Sequence, residues 1–147
     1  MRLLGIDLGS VRVGVAVCDE LGLAARPLSV LRRRGGARDL DAIERLVREQ
    51  EAGAVVLGLP LNMDGSEGPV AQRTRRFAAA LEERLRPLGV PVRLWDERLT
   101  SWEAEDLLRE KGLTPRRRRE RVDAVAAALI LESYLAADGG STRENTR

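Results

Sequence analysis

An aspartate interrupts the first apolar run of the chain, which reads LLGIDLG over residues 3–9. A carboxylate with apolar neighbours on both sides is costly unless it is paired, hydrogen-bonded or bound to a metal ion. Asp7 is therefore a candidate metal ligand and catalytic residue. The structural alternative is that Asp7 lies at a strand end and hydrogen-bonds the following Gly9-Ser10 turn.

Further acids stand at the ends of other apolar segments. Asp96 and Glu97 follow a short apolar run, and strand alternation sends their side chains to opposite sides, so we expect only one to face a site. Asp123 lies in the first turns of an apolar helix, where the helix dipole already favours an acid. Four arginines precede it: Arg116, Arg117, Arg118 and Arg119. Such a run is either solvated surface or a contact for a phosphate backbone.

A glycine-rich loop, NMDGSEG over residues 62–68, opens a predicted helix. Helix N-termini offer free amides and positive potential to phosphate groups, which makes Asn62, Asp64 and Gly65 candidate substrate contacts. The loop is not a Walker A motif, because no Gly-Lys-Ser/Thr follows. A plain strand-to-helix turn explains it equally well.

The residue types that are missing restrict the chemistry. The 147 residues include no histidine and a single cysteine, Cys18, which excludes Ser-His and Cys-His nucleophile pairs, His-ligated zinc and an internal disulfide. A metal ion would need oxygen ligands, which favours Mg²⁺ or Mn²⁺. The lone cysteine suits a reducing compartment, so we expect a cytoplasmic protein. No stretch approaches the roughly 20 apolar residues of a membrane span.

Arginine provides 24 of the 25 basic residues, since Lys111 is the only lysine. Arginine favours bidentate phosphate contacts, but codon bias or a hot habitat would produce the same excess. The net charge of +2 is by itself too small to indicate a nucleic-acid partner.

Apolar periodicity predicts the elements that would position these residues. Strands are expected over 3–8, 11–18, 27–31, 54–59 and 91–95, and helices over 39–50, 70–86, 100–110 and 117–136. The second helix should turn Val70, Phe77, Leu81 and Leu85 inward. The last helix should bury Val122, Val125, Ala126, Leu129 and Ile130. Strands first and then alternating helices and strands predict one α/β domain over residues 1–137, a mixed sheet with helices on its faces. The polar residues 138–147 are predicted to be a disordered tail.

Four segments taken together resemble the YqgF/RuvX family of bacterial nucleases. They are GIDLGSVRVGVA (5–16), the loop from Gly58 to Gly68, WDERLTS (95–101) and DAVAAALIL (123–131). The resemblance implies an RNase H-like fold, related to the RuvC Holliday-junction resolvases. It also implies that Asp7, Glu97 and Asp123 converge at one metal site, with Glu97 rather than Asp96 facing inward. Arg12 matches a basic position of the first motif and is expected to contact substrate phosphate, and Arg98 is also predicted to be a substrate contact.

The resemblance implies a metal-dependent nuclease for structured nucleic acid. Family members are described both as nucleases that mature the 5′ end of pre-16S ribosomal RNA and as candidate Holliday-junction resolvases, and the residues do not separate these substrates. One alternative is a nucleic-acid-binding module without catalysis. Another is an ATP-binding domain like those of actin-like ATPases and sugar kinases. Those enzymes bind nucleotide between two such domains, whereas 147 residues are enough for only one. A homodimer stays open.

Overall fold

The helices and strands lie close to their predicted positions. The computed structural model describes residues 1–22, 24–98 and 115–145, with side chains of the last helix described from Arg121 to Ala137. The described residues form strands β1 (Leu3–Leu8), β2 (Arg12–Cys18), β3 (Ala25–Arg32), β4 (Ala54–Leu59) and β5 (Val92–Asp96). The helices are α1 (Gly36–Gln50), α2 (Pro69–Leu85) and α3 (Pro115–Asn145), and a short 3₁₀ turn, Arg86–Leu88, follows α2.

All five strands join one sheet in the order β3-β2-β1-β4-β5. β1, β2 and β3 pair antiparallel along the chain, whereas β4 pairs parallel to β1 and β5 parallel to β4. Parallel neighbours need long crossover connections, which α1 and α2 supply. The predicted mixed α/β sheet is confirmed, and Asp7 lies near the carboxyl end of its central strand.

Side-chain alternation divides the sheet into two apolar faces. One face packs against α1 and α2 and includes Leu4, Ile6, Val13, Val15, Val55 and Leu57. The other face packs against α3 and includes Leu3, Ala16, Cys18, Ala54 and Val56. Residues of the second parity therefore point toward α3. In β1 that parity includes Asp7, in β2 it includes Arg12, and one residue beyond β5 it includes Glu97.

Two predictions about buried faces need correction. Val70, expected inward, is 49% exposed, because it stands in the first turn of α2, where Ala71 and Thr74 face the core instead. In α3, Val122, Val125 and Leu129 are only half-buried. The buried face is built mostly from small residues, which let the helix approach the sheet closely: Ala124, Ala126, Ala127, Ala128, Ile130 and Leu131.

Two further predictions involve residues that the structure describes in part or not at all. The helix over 100–110, with its capping box and Trp102, lies outside the described residues. The backbone of α3 is helical to Asn145 and so enters the segment 138–147, and the division into a domain and a disordered tail stays a prediction. None of the helices in the described ranges combines the length and the hydropathy that crossing a bilayer requires.

Gly14 marks the point where α3 comes closest to β2. A β-carbon on Gly14 would lie 1.9 Å from the carbonyl oxygen of Asp123. That oxygen belongs to the helix backbone, which cannot move aside as the end of a flexible side chain can. We expect Gly14→Ala to displace α3 and to lower the free energy of unfolding by about 3 kcal/mol, the upper end for overpacking. Urea unfolding of the purified variant measures this.

The matched control is Gly68→Ala, since the nearest atom to that added methyl, Oδ1 of Asn62, is 3.6 Å away. That variant should change the free energy of unfolding by no more than about 1 kcal/mol. Equal losses in the two variants would contradict the close approach at Gly14.

Candidate active site

Asp7 and Glu97 form a pair of half-buried acids where β1 and β5 end. Glu97 directly follows β5, and its backbone N–H donates to the carbonyl of Leu59 at 3.3 Å, which continues the alignment with β4. The carboxyl groups of Glu97 and Asp7 are hydrogen-bonded to each other, and Glu97 is the donor because its pKa is the higher of the two. Asp96, of opposite parity, is exposed and accepts a hydrogen bond from Arg98 Nε at 2.9 Å.

Burial raises the pKa of both acids in this pair. Desolvation is the larger cause for Asp7, and the negative charge of Asp123 adds to it, so that the pKa of Asp7 rises to about 6. Desolvation followed by the charge of Asp7 raises the pKa of Glu97 to about 8. Near neutral pH the pair therefore shares one proton and carries about one negative charge.

Asp123 approaches the pair from α3 and is held by Arg12. Its Oδ2 accepts a hydrogen bond from Arg12 Nε at 2.6 Å, with both side chains about a quarter exposed. Arg12 lies on β2 and points to the α3 face, as its parity requires. The structure thus places Arg12 on a site carboxylate, and its expected contact with substrate phosphate stays a prediction.

Two glycines flank Asp7 in the sheet. Gly14 is its partner on β2, and Gly58 is the next position in the register between β1 and β4. A β-carbon on Gly58 would lie 2.3 Å from Glu97 Oε2, just as one on Gly14 would meet the Asp123 backbone. Each glycine therefore leaves room for one of the other two acids. Neither glycine has a role predicted from the sequence, although a glycine inside a strand is a signal that another group approaches the backbone closely.

The donor chemistry of this site fits a hard divalent cation. Its candidate ligands are carboxylate oxygens only, and two of them belong to half-buried acids that retain a proton between them. Asp123, however, is directed toward Arg12. Among the described residues, no three acidic or thiol side chains are already gathered as a ligand set for one ion. Convergence of Asp7, Glu97 and Asp123 on a single metal stays a prediction.

The loop between β4 and α2 lies beside this site and is closed by its own side chains. Asn62 Nδ2 donates to Ser66 Oγ at 2.9 Å, and Asp64 Oδ1 accepts from the Ser66 backbone N–H at 2.9 Å. Gly65 has a positive φ of 89°. Arg98 Nη1 donates to the carbonyl of Met63 at 3.1 Å and so joins the loop to the end of β5.

The side chains proposed for substrate binding thus have partners inside the protein. Asn62, Asp64 and Arg98 all take part in closing the loop or joining it to β5, and their contact with substrate stays a prediction. Substrate contact by the arginine run 116–119 also stays a prediction, because its backbone belongs to α3 but its side chains lie outside the described residues.

This sheet order, with acids at the ends of β1 and β5 and one from α3, defines a protein of the RNase H-like class. The structure of T. thermophilus RuvC in complex with a Holliday junction substrate matches with a TM-score of 0.62 at 19% identity, over 96% of this chain and 98% of that chain. The fowlpox virus resolvase in complex with Holliday junction DNA matches with a TM-score of 0.56 at 9% identity, over 93% and 98%. At such low identity these likenesses establish the fold.

The chain belongs to the RuvX family. Residues 1–137 match that family, which is described as a Holliday junction resolvase. A protein of Anaeromyxobacter sp. (strain Fw109-5), named "Putative pre-16S rRNA nuclease", is 54% identical over 135 residues, which cover 92% of this chain and 96% of the relative. A protein of Myxococcus xanthus (strain DK1622) with the same name is 49% identical over 92% of this chain and 87% of the relative. The resemblance stated from the sequence and the nuclease class are confirmed.

The shared proton makes the stability of the metal-free protein depend on pH. The pKa of each acid is raised from its ordinary value, 3.8 or 4.5, to about 6 for Asp7 and about 8 for Glu97. The folded protein therefore holds protons that the unfolded chain releases, and stability is lost as pH rises through that window. We expect urea unfolding in EDTA to show this loss between pH 5 and pH 8 and Glu97→Gln to reduce it.

Asp96→Asn is the control for this titration. The hydrogen bond and charge of Arg98 lower the pKa of Asp96, so its contribution is present throughout that window and is lost only below its ordinary pKa. The charge of Asp96 is the smallest of the causes that raise the pKa of Glu97, so this control should keep nearly all of the wild-type slope of stability against pH. A wild-type slope in Glu97→Gln as well would show that the buried pair does not titrate in this range.

Gly58→Ala should damage the site more than the fold. The added methyl would meet two side-chain ends, Glu97 Oε2 at 2.3 Å and Ile130 Cδ1 at 2.7 Å, and Glu97 would have to move away from Asp7. A misplacement of about 1 Å at a reacting centre can reduce a rate roughly 100-fold, so we expect a loss of cleavage on that order with a stability loss of about 1–3 kcal/mol. Gly53→Ala, whose methyl would meet the Met1 side chain instead, should cleave at the wild-type rate. Full activity of Gly58→Ala would contradict the positioning of Glu97 by Gly58.

Proposed function

We propose that this chain hydrolyses phosphodiester bonds of structured nucleic acid, with Asp7, Glu97 and Asp123 as ligands of Mg²⁺ or Mn²⁺. The observation that carries the proposal is the half-buried acid pair at the ends of two strands of one sheet, which a third carboxylate approaches from α3. Nucleases of this fold depend in general on a divalent metal ion. When bound, such an ion supplies Lewis-acid stabilisation of the charge that develops on phosphate oxygens.

The protein's own groups prepare this site in three ways. Asp7 and Glu97 are oriented by strand parity, and their shared proton would leave when a cation neutralises the pair. Arg12 fixes Asp123 at 2.6 Å and brings a permanent positive charge to the place where a phosphate would bind. The closed loop over residues 62–66 is joined by a hydrogen bond to Arg98, the residue after Glu97. In this proposal Asn62, Asp64, Gly65, Arg98 and the arginines at 116–119 contact the substrate strand.

Precursor 16S ribosomal RNA is the substrate that we favour. Relatives that share about half of their residues with nearly the whole chain are named for that RNA. A four-way DNA junction is the second candidate, because the family is described as a Holliday junction resolvase. Both substrates present the same phosphodiester to the acids. We propose that the protein acts in the cytoplasm through the domain 1–137. Its process would be ribosome biogenesis if the substrate is the RNA, and recombination and repair if it is the DNA. A homodimer stays a prediction.

Asp7→Asn tests the catalytic proposal. The variant should cleave about 100- to 1000-fold more slowly, because it removes a ligand charge worth several kcal/mol in the transition state. Wild type and variant are compared with Mg²⁺ or Mn²⁺ on two labelled substrates, a precursor 16S fragment with its 5′ extension and a four-way DNA junction. Asp41→Asn, an exposed acid on α1, serves as the control.

The outcomes separate the candidate functions. Cleavage of the RNA alone supports maturation of ribosomal RNA, and cleavage of the junction alone supports resolution of branched DNA. Metal-independent binding without cleavage would overturn the proposal in favour of a binding module. Equal cleavage rates for wild type and Asp7→Asn would remove Asp7 from the mechanism.

A further inference from the structure

A second groove lies next to Asp7 on the opposite face of the sheet. It is formed by the turn between β1 and β2, by the residues that precede and open α1, and by the first half of α2. Its volume is about 640 Å³. The residues that line it include Gly9, Ser10, Arg33, Arg73, Arg76 and Phe77. We call it the arginine groove, after the three arginines.

The arginine groove is within reach of a nucleic-acid strand whose cleaved phosphate lies at Asp7. Gly9 and Ser10 follow Asp7 by two and three residues, so their α-carbons lie within about 7 and 11 Å of it. A strand of duplex rises about 3.4 Å per nucleotide along its axis. A strand that passes over the end of β1 would therefore reach the groove within a few nucleotides of the site.

Arg33 holds the residues around the groove together, and its charge is neutralised by Asp39. Its Nε donates to Asp39 Oδ2 at 2.7 Å, its Nη1 donates to the carbonyl of Gly9 at 2.6 Å, and its guanidinium lies 5.7 Å from the ring centre of Phe77. Asp39 is buried and also accepts from the backbone of Arg34. Arg33 thus connects the turn after Asp7 to both helices and leaves the remaining two arginines to provide the charge.

Arg73 and Arg76 are both exposed and lie three residues apart on one side of α2. Among the described residues, neither has a hydrogen bond or an ion pair, and no acid lines the groove. Other arginines of the same helix differ, since Arg75 pairs with Glu67 and Arg84 with Glu44. The groove therefore keeps two positive charges that nothing in the described structure offsets.

We propose that the arginine groove binds the sugar–phosphate backbone of the nucleic acid that is cut at Asp7, with Arg73 and Arg76 as its phosphate contacts. Guanidinium groups match phosphate oxygens and stay charged at all relevant pH values. Val70, 49% exposed beside them, gives the groove an apolar edge against which a sugar can pack. That one strand occupies both the groove and the acid site rests on the proposed function.

Binding without cleavage tests the groove by itself. Fluorescence anisotropy in EDTA follows the full-length protein on a labelled RNA hairpin with a 5′ extension and on a labelled four-way DNA junction, over a range of salt. Arg73→Gln/Arg76→Gln should reduce the slope of log affinity against log salt by about 1.4–1.8, the change expected when two arginines no longer neutralise phosphates.

The matched control is Arg45→Gln/Arg86→Gln, which removes two exposed arginines elsewhere on the surface and changes net charge equally. Its salt slope should stay near the wild-type value. Equal slopes in the two double variants would overturn the groove proposal, because the effect would then come from net charge alone.

Shortened substrates test whether groove and acid site hold one strand. Cleavage is measured on two series of substrates, trimmed nucleotide by nucleotide on the 5′ side or on the 3′ side of the cut. The KM difference between wild type and Arg73→Gln/Arg76→Gln should vanish in one series once the strand no longer reaches the groove, while kcat changes little. A difference that persists at every length in both series would overturn the placement.

The two proposals fail in distinguishable ways. Binding that depends on Arg73 and Arg76, without any cleavage that depends on Asp7, would leave the groove and remove the nuclease site. Cleavage that depends on Asp7, with an unchanged salt slope in the groove variant, would leave the nuclease site and remove the groove.

Discussion

The close contact between α3 and the middle of the sheet is the constraint on which the rest of the site depends. That contact brings Asp123 to β2, the neighbour of the strand that carries Asp7, and it requires a residue without a β-carbon at Gly14. Asp7 and Glu97 lie on the face of the sheet that this helix covers, where desolvation raises the pKa of both acids and they share a proton. Packing and acid chemistry are therefore one feature of this fold. Whatever loosens α3 separates the acids and rehydrates them at the same time.

Much of the fold could be predicted from local pattern. The valines of β2 alternate with a period of two, and the structure forms that strand as Arg12–Cys18. The same rule predicted that only one of Asp96 and Glu97 would face a site, but not which, because parity must be counted from a neighbouring strand whose register is a tertiary property. The prediction for Val70 was wrong because periodicity does not tell where the sheet beneath a helix ends. The assignment of three acids to one place came from the family resemblance.

The arginine groove, in contrast, could not be predicted from the sequence. Its three arginines are up to 43 positions apart in the chain, and each looks like ordinary solvated charge. The run at 116–119 is predicted to contact phosphate because its four arginines are consecutive in the sequence. Only the fold reveals that Arg33 is neutralised by Asp39 while Arg73 and Arg76 are without an acid among the described residues. Charge balance in space, rather than charge density along the sequence, distinguishes these groups.

The alternation that sends Asp7, Arg12 and Glu97 to one face has a consequence for how the chain can tolerate change. Adding or deleting one residue in β1 before Asp7 would turn Asp7 to the other face and bury it against α1 and α2, and the same change inside β2 would turn every side chain that follows Arg12 to the wrong face. Changes of length between the strands leave this parity untouched. Insertions and deletions should therefore be confined to the connections, and the spacing within each strand is held as firmly as the acids themselves.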